Sequence, residues 1–329
     1  MEPSKLAQLD LYSSPTTGVL SCLPLSWVPY AELIRFHKPA GILFIYVPYL
    51  LGNLFAASIK EKTPLLGDMA WVNLLLFVIA FVVRSVGCTW NDIVDREVDR
   101  YVSRSRHRPI ARGAISASNG LAFMAAQYAF LFAIVGLTLP QSFPYLVPII
   151  TTGTLYPYAK QATYYAQVVL GVSLSTGVLF GCAAAGVDPI RLSLLGMSPS
   201  GAALLTLATS YVVWTVIHDT IYAFQDLEGD KKMGNKSMAV RFEKRMKPVL
   251  YALSATNVAL LLATGWFASY GIAFYVGTAA TGFILVTMVW RVDLSRPEVC
   301  GWWFGWGGLM GAGSLTASLL GEYLSRLFF

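Results

Sequence analysis

From residue 40 to its C-terminus this chain repeats apolar runs of about 20 residues, the length that carries a helix across a hydrocarbon core. No other feature limits the fold as strongly. Backbone amides in lipid have no water to bond to, so the chain must satisfy them within helices or within a closed barrel. The runs are too long and too continuously apolar for the alternating strands of a barrel. Composition agrees: 56% of residues are hydrophobic and 13% are charged, where a soluble globular chain carries about 25% charged residues.

The runs place membrane segments at 40–59, 70–90, 118–137, 143–159, 165–186, 200–223, 248–266, 270–290 and 303–325. The expected fold class is an all-α integral membrane protein with nine transmembrane helices. Residues 1–30 are expected as an N-terminal cytosolic tail and residues 31–329 as a single transmembrane domain. The 143–159 segment is short and carries Pro144, Pro148 and Pro157, which membrane helices tolerate when neighbours re-satisfy the backbone. Gly307 and Gly311 have the spacing that permits close helix contact. Residues 1–30 lack the basic region and apolar core of a cleaved signal, and also the arginine-rich amphipathic pattern of a mitochondrial presequence. Cys22, Cys88, Cys182 and Cys300 form no ligand-spaced pair, so neither a disulfide framework nor a zinc site is expected.

Charge fixes the orientation. The connections after the second, fourth, sixth and eighth segments hold sixteen Lys and Arg residues, against Lys60, Lys62 and Arg191 on the other side. The positive-inside rule puts the charged connections in the cytosol, and Lys5, Arg35 and Lys38 put the N-terminus there too. Basic residues split among membrane-bounded loops argue against nucleic-acid binding. Asn235-Lys236-Ser237 is a formal glycosylation acceptor that this topology keeps cytosolic and bare.

Two acidic stripes end membrane segments. Asp92, Asp95 and Asp99 are spaced by three and four residues, and Asp219, Asp226 and Asp230 by seven and four. On helices each set shares one face. Stacked carboxylates near lipid are costly unless something positive fills the space beside them. Hard oxygen ligands suit Mg²⁺, which binds through one or two carboxylates plus substrate phosphates. Arg96, Arg100, Arg104, Arg106, Arg108, Arg112, Lys231 and Lys232 border the same stripes, and an interleaving of carboxylates with guanidiniums is what a metal-diphosphate site requires. An ion-coupled transporter also places aspartates in membrane helices, but gives no reason for the adjacent arginines.

At these residues the chain resembles the UbiA superfamily of intramembrane prenyltransferases. The resemblance is carried by NDIVDREVD at 91–99 with RSRHRPIARG at 104–113, and by YAFQDLEGDKKMGNKS at 222–237. It runs from about residue 31 to the C-terminus and implies a UbiA-type fold of nine helices around a central cavity. RFHKPAG at 35–41, YPYAKQATYYAQ at 156–167 and DTIYAFQD at 219–226 are most similar to the 4-hydroxybenzoate polyprenyltransferase group, which includes fungal meroterpenoid enzymes that farnesylate polyketides or pyrones. Gln161 and Phe224 depart from the ubiquinone-pathway pattern. With the unmatched presequence, they favour specialised metabolism at the endoplasmic reticulum or a related endomembrane.

The resemblance implies Mg²⁺-dependent transfer of a prenyl group, farnesyl for preference, from an allylic diphosphate to a ring carbon of a phenolic, aromatic polyketide or pyrone acceptor. Asp92, Asp95, Asp99, Asp226 and Asp230 are the expected metal ligands. Asn91, Arg104, Arg108, Lys160 and Lys231 are expected to hold the diphosphate, with Lys231 and its neighbour Lys232 ranked lower because a charge run is more often a solvated face. Asp219, Tyr156, Tyr222 and Arg35 are expected at the acceptor, and Phe224 is a further aromatic candidate near the cavity mouth. The partners implied are these substrates and membrane lipid, with no obligate protein partner. The proton acceptor stays unassigned. Long-chain transfer to 4-hydroxybenzoate is the alternative chemistry.

Overall fold

The computed structural model describes residues 12–13, 15–38, 40–102, 105–195 and 198–328. Every regular element among them is helical, the outcome expected of backbone that must bond within its own segment. Long helices occupy the apolar runs: α2 (Ala40–Ile59), α3 (Leu66–Val94), α5 (Ala117–Thr138), α6 (Leu146–Ala162), α7 (Ala166–Ala184), α8 (Pro199–Ala223), α11 (Met246–Ala268), α12 (Ile272–Arg291) and α14 (Gly308–Phe328). Shorter helices join them: α1 (Val28–Leu33), α4 (Arg96–Asp99), α9 (Leu227–Met233), α10 (Met238–Phe242) and α13 (Pro297–Trp302). Local chemistry sets several ends. Ser198 caps α8 by accepting from the Gly201 amide, with Pro199 as the first helical residue. Gly234, at φ 72°, closes α9 in the left-handed conformation that glycine adopts without strain.

Seven spans among the described residues are long and apolar enough to cross a bilayer: α2, α3, α5, α7, α8 with α9, α10 with α11, and α12. The expected count of nine is not reached on length and composition. α6 has 17 residues and starts at Leu146 rather than 143, because Pro140–Tyr145 forms a tight helical turn of its own. α14 mixes Gly and Ser among its apolar residues and carries Glu322 and Arg326 near its end. The chain is nevertheless a multi-pass integral membrane protein.

The described residues divide into two compact units, one drawn from Met1–Pro39 and Ser85–Tyr128, the other from Ala40–Arg84 and Ala129–Phe329. The first has a small core of Leu33, Ile93, Ile110 and Ile115, against which Tyr30, Trp90 and Phe123 pack. Tyr30 meets Phe123 edge-on at 5.0 Å. The second is built around α8, which packs against α7 and α11; α7 also meets α2 and α6, while α14 meets α2 and α12.

Glycines let helices of the second unit approach closely. A Cβ on Gly52 of α2 would run into the Val178 carbonyl of α7, and one on Gly181 of α7 into the Tyr49 carbonyl of α2. These helices touch backbone to backbone, the contact that small residues permit in membranes. Gly307 and Gly311 do something different. Gly307, just before α14, faces the Trp303 ring and Met288, and a Cβ on Gly311 would stand 3.4 Å from Trp214 Nε1, so at the start of α14 the glycines admit side chains. Gly52→Ala should therefore destabilise the protein by about 1–3 kcal/mol or more through overpacking. Gly67→Ala, where an added Cβ meets nothing within 4 Å, should leave the thermal midpoint in detergent nearly unchanged. Equal midpoints for both variants would contradict the α2–α7 contact.

Candidate functional site

The first acidic stripe lies at the end of a long helix, but not on one straight helix. α3 stops at Val94, Asp95 occupies the break, and α4 restarts at Arg96. Backbone bonds from Asp95 N to the Asn91 carbonyl and from Asp99 N to the Asp95 carbonyl carry the four-residue order across the bend. Asp92 and Asp99 are buried, while Asp95 is half-buried.

Burying two carboxylates requires compensation, and arginines from distant parts of the chain supply it. Arg35 Nη2 donates to Asp92 Oδ1 at 2.6 Å, and its Nη1 donates to the Glu32 carbonyl at 3.0 Å. Arg108 Nη1 lies 2.7 Å from Asp99 Oδ2 and 3.4 Å from Asp92 Oδ1. Arg35 adopts φ 58°, a left-handed conformation that costs a non-glycine residue about 1–3 kcal/mol; its two bonds hold it there. Burial disfavours the Arg35 charge, but attraction from Asp92, supported by Cys88 and Asp99, outweighs this and raises its pKa above the ordinary arginine value.

A second clamp fixes the arginine-rich loop. Glu32 accepts from Arg112 Nη2 at 2.6 Å and from the Tyr12 hydroxyl at 2.7 Å. The Arg112 guanidinium also lies over the Tyr12 ring, 3.7 Å from its centre, a cation–π contact. The loop's arginines are thus divided: Arg108 turns to the aspartates and Arg112 to Glu32. Two oxygens are left over. Asp92 Oδ2 and Asn91 Oδ1 are buried with no hydrogen-bond partner, which is costly unless a ligand or ion completes them.

The second stripe is also bent. α8 ends at Ala223, a tight turn covers Phe224–Asp226, and α9 follows. Asp219, Asp226 and Asp230 are all half-buried, and Asp230 Oδ1 accepts from Asn235 Nδ2 at 3.1 Å. Tyr222 lies 4.5 Å from the Phe304 ring, Phe224 is buried, and Tyr156 is half-buried on α6. Lys231 turns away to exposed Glu228 and Glu243, with Nζ 2.8 Å from the latter. Arg104 lies outside the described residues, as does the side chain of Lys160. Among the described residues no three His, Cys, Asp or Glu side chains form a group that would hold a metal ion.

Sequence reasoning passed over Glu32, Arg112 as a clamp, and Arg84. Arg84 is a buried cation within a membrane helix, and such a group marks a functional position by default because lipid makes it expensive. It explains a glycine: a Cβ on Gly41 would stand 2.7 Å from Arg84 Nη2. Arg84 was findable as the lone cation in an apolar run. Glu32 carried no comparable signal.

Residues 45–314 match the UbiA prenyltransferase family. The mitochondrial 4-hydroxybenzoate polyprenyltransferase of Saccharomyces cerevisiae is 35% identical, covering 94% of this chain and 80% of its own. The DMOA farnesyltransferase nvfB of Aspergillus novofumigatus is also 35% identical, covering 78% and 79%. Among solved structures, a UbiA homolog from Archaeoglobus fulgidus bound to GPP and Mg²⁺ superposes with a TM-score of 0.65 at 22% identity, covering 89% of this chain and 99% of that one.

Breaking a buried ion pair from one side costs about 3–5 kcal/mol. Glu32→Ala, which strands Arg112, should lower the detergent melting temperature clearly, whereas Glu97→Ala, which removes an exposed partner of Arg100, should cost about 1 kcal/mol or less. A Glu32→Ala protein as stable as Glu97→Ala would remove the clamp.

Proposed function

The chain belongs to the UbiA prenyltransferase family, and from that premise we propose that it transfers a farnesyl group from an allylic diphosphate to a ring carbon of a phenolic, aromatic polyketide or pyrone acceptor. That it is a membrane prenyltransferase follows from the family and removes the transporter alternative. The finer reading is carried by one observation, the buried alternation of Asp92 and Asp99 with Arg35 and Arg108.

The donors fit Mg²⁺. They are hard oxygens, two of them buried and uncompleted, and this ion needs few protein ligands when substrate phosphates and water fill the rest of its shell. Asp92, Asp95 and Asp99 would hold it from one stripe, and Asp226 and Asp230 from the other, with Asn91 orienting an oxygen. When bound, the ion neutralises charge growing on the leaving diphosphate.

The chain's own groups do the remainder. Arg108, with Arg104 and Lys160, grips phosphate oxygens; a guanidinium fork does so bidentately. Lys231 ranks below them, since its partners are surface glutamates. As the allylic C–O bond breaks, the faces of Tyr222 and Tyr156 stabilise the cation left behind and keep water from it. The acceptor is oriented by Asp219, with Arg35 and Arg84 as cations for its carboxylate or enolate. Its ring carbon beside the oxygen closes the new C–C bond, and the ring proton then departs to restore aromaticity. Residues 31–329 act as one catalytic domain in this reading, with α6 and α14 completing nine crossings. The N-terminus and both stripes face the cytosol of an endomembrane. A second chemistry, long-chain transfer to 4-hydroxybenzoate, is supported by the resemblance to the yeast enzyme.

Purified protein in lipid, given Mg²⁺, farnesyl diphosphate and pooled aromatic and pyrone acceptors, should release diphosphate and form a farnesylated product; chelation by EDTA should stop both and added Mg²⁺ restore them. Asp92→Ala and Asp226→Ala should each reduce product at least 100-fold, equivalent to about 2.7 kcal/mol of barrier, in folded, membrane-inserted protein. Full activity in both would remove the metal assignment. For orientation, Asn235 should remain unglycosylated on expression in a eukaryotic host, and glycan on it would reverse the topology.

A further inference from the structure

In the second unit an aromatic column descends from the acidic end of α8. Tyr222 meets Phe304 at 4.5 Å, Phe304 stacks on Phe44 at 4.6 Å with planes 2° apart, Phe44 meets Trp214 at 5.4 Å, and Trp214 stacks on Tyr211 at 5.1 Å. His218 lies against the other side of Trp214 at 4.2 Å. Burial deepens along it. Tyr222 and Phe304 are half-buried, whereas Phe44, Trp214 and Tyr211 are buried. The Tyr211 hydroxyl pins the lower end by donating to the Phe44 carbonyl at 2.7 Å.

The glycines of α14 make this column possible. A Cβ on Gly308 would stand 2.5 Å from the Phe44 ring, and one on Gly311 would crowd Trp214 Nε1. Phe304 itself lies in the widened helical turn Trp303–Gly307 that leads into α14, a distortion frequent at functional sites. Below the column is a small cavity of about 10 Å³, lined by Trp214, Ser210, Asn257, Gly311 and Leu315. It is large enough for one water at most. Trp214 Nε1 and Asn257 Oδ1, both buried, have no partner there. The indole therefore separates the half-buried upper aromatics from an unfilled space beneath.

We infer that Phe44 and Trp214 form the floor of the prenyl-tail site and set its maximum length at three isoprene units. The inference rests on the proposed function, which puts the diphosphate at Asp226. Asp226 stands in the turn beyond Ala223, where α8 ends, and Trp214 lies nine residues before Ala223, about 14 Å at the rise of a helix. An extended isoprene unit adds four chain bonds of about 1.5 Å each, roughly 5 Å along the tail. Three units, roughly 15 Å, span that depth; four, roughly 20 Å, exceed it. The tail runs down beside Tyr222 and Phe304 and stops at Phe44 and Trp214. A longer tail has to displace the indole.

The test is a competition among geranyl, farnesyl, geranylgeranyl and a long polyprenyl diphosphate with one accepted aromatic acceptor, read as the ratio of product lengths by mass. Wild-type protein should favour farnesyl. Trp214→Ala and Phe44→Ala, which open the floor, should raise the geranylgeranyl-to-farnesyl product ratio at least tenfold, and Phe44→Leu should raise it less. Trp214→Phe, keeping a ring, should stay within about threefold of wild type and serves if the alanine variants fail to fold: with Phe44→Leu it must still give the graded order. Unchanged ratios in folded variants, or a wild type that prefers the long polyprenyl donor, overturn the floor. A wild type that transfers no prenyl group of any length overturns the functional reading itself, and the floor with it.

Discussion

A carboxylate buried at the end of a membrane helix has to be neutralised, and in this protein the neutralisation of Asp92 organises everything near it. The carboxyl group is fully buried, and two guanidiniums reach it from opposite directions in sequence, Arg35 from before the first membrane helix and Arg108 from the loop after α4. Desolvating such charges is affordable only with close, well-bonded partners. The result is a network in which the left-handed backbone at Arg35, the bend at Asp95 and the course of the loop from Ser105 to Gly113 are mutually dependent. It also poises the site chemically. Positive groups that now balance aspartates are the kind a diphosphate attracts, while Asp92 and Asn91 each retain a buried oxygen with no hydrogen-bond partner.

The membrane part obeys a different constraint. Between helices in lipid there is little hydrophobic gain, so association depends on van der Waals fit and on how closely backbones approach. Glycine serves that fit in two ways. On α2 and α7 it lets main chain meet main chain at Gly52 and Gly181; on α14 it opens room for Phe44 and Trp214. Large rings occupy the middle of the bundle because the opposing helix has given up its side chains there. Packing and substrate selection are then one property, since the rings that fill the core also limit what else can enter it.

The acidic stripes were legible from spacing: Asp92 and Asp99 lie at the ends of α3 and α4 and Asp226 in the turn after α8, while Arg108 lies in the loop after α4. Their partners were not. Glu32 is an isolated carboxylate in a short helix, and its role depends on Arg112, eighty residues away. Arg35 was assigned to the acceptor on position, yet its nearest anion is Asp92. Lys231 ranks low for the phosphate grip as part of a charge run, and its side chain pairs with Glu243. Periodicity also overextended the stripes, since spacing of three and four persists through a bend and so does not reveal one. The nine runs predicted from hydropathy include α6 and α14, whose length and glycine content put them below the others as bilayer spans.

By itself the sequence determined that this protein is helical, crosses a membrane many times and carries carboxylates and guanidiniums together at helix ends. These follow from hydropathy and local period, properties summed over neighbours along the chain. Tertiary structure decided which arginine neutralises which aspartate, which glycine receives a helix and which a ring, and how deep the aromatic column closes the core. Those are distances between residues far apart in sequence, 57 positions in the case of Arg35 and Asp92. Coulomb attraction and steric exclusion depend on separation in space, and only the folded chain sets that separation.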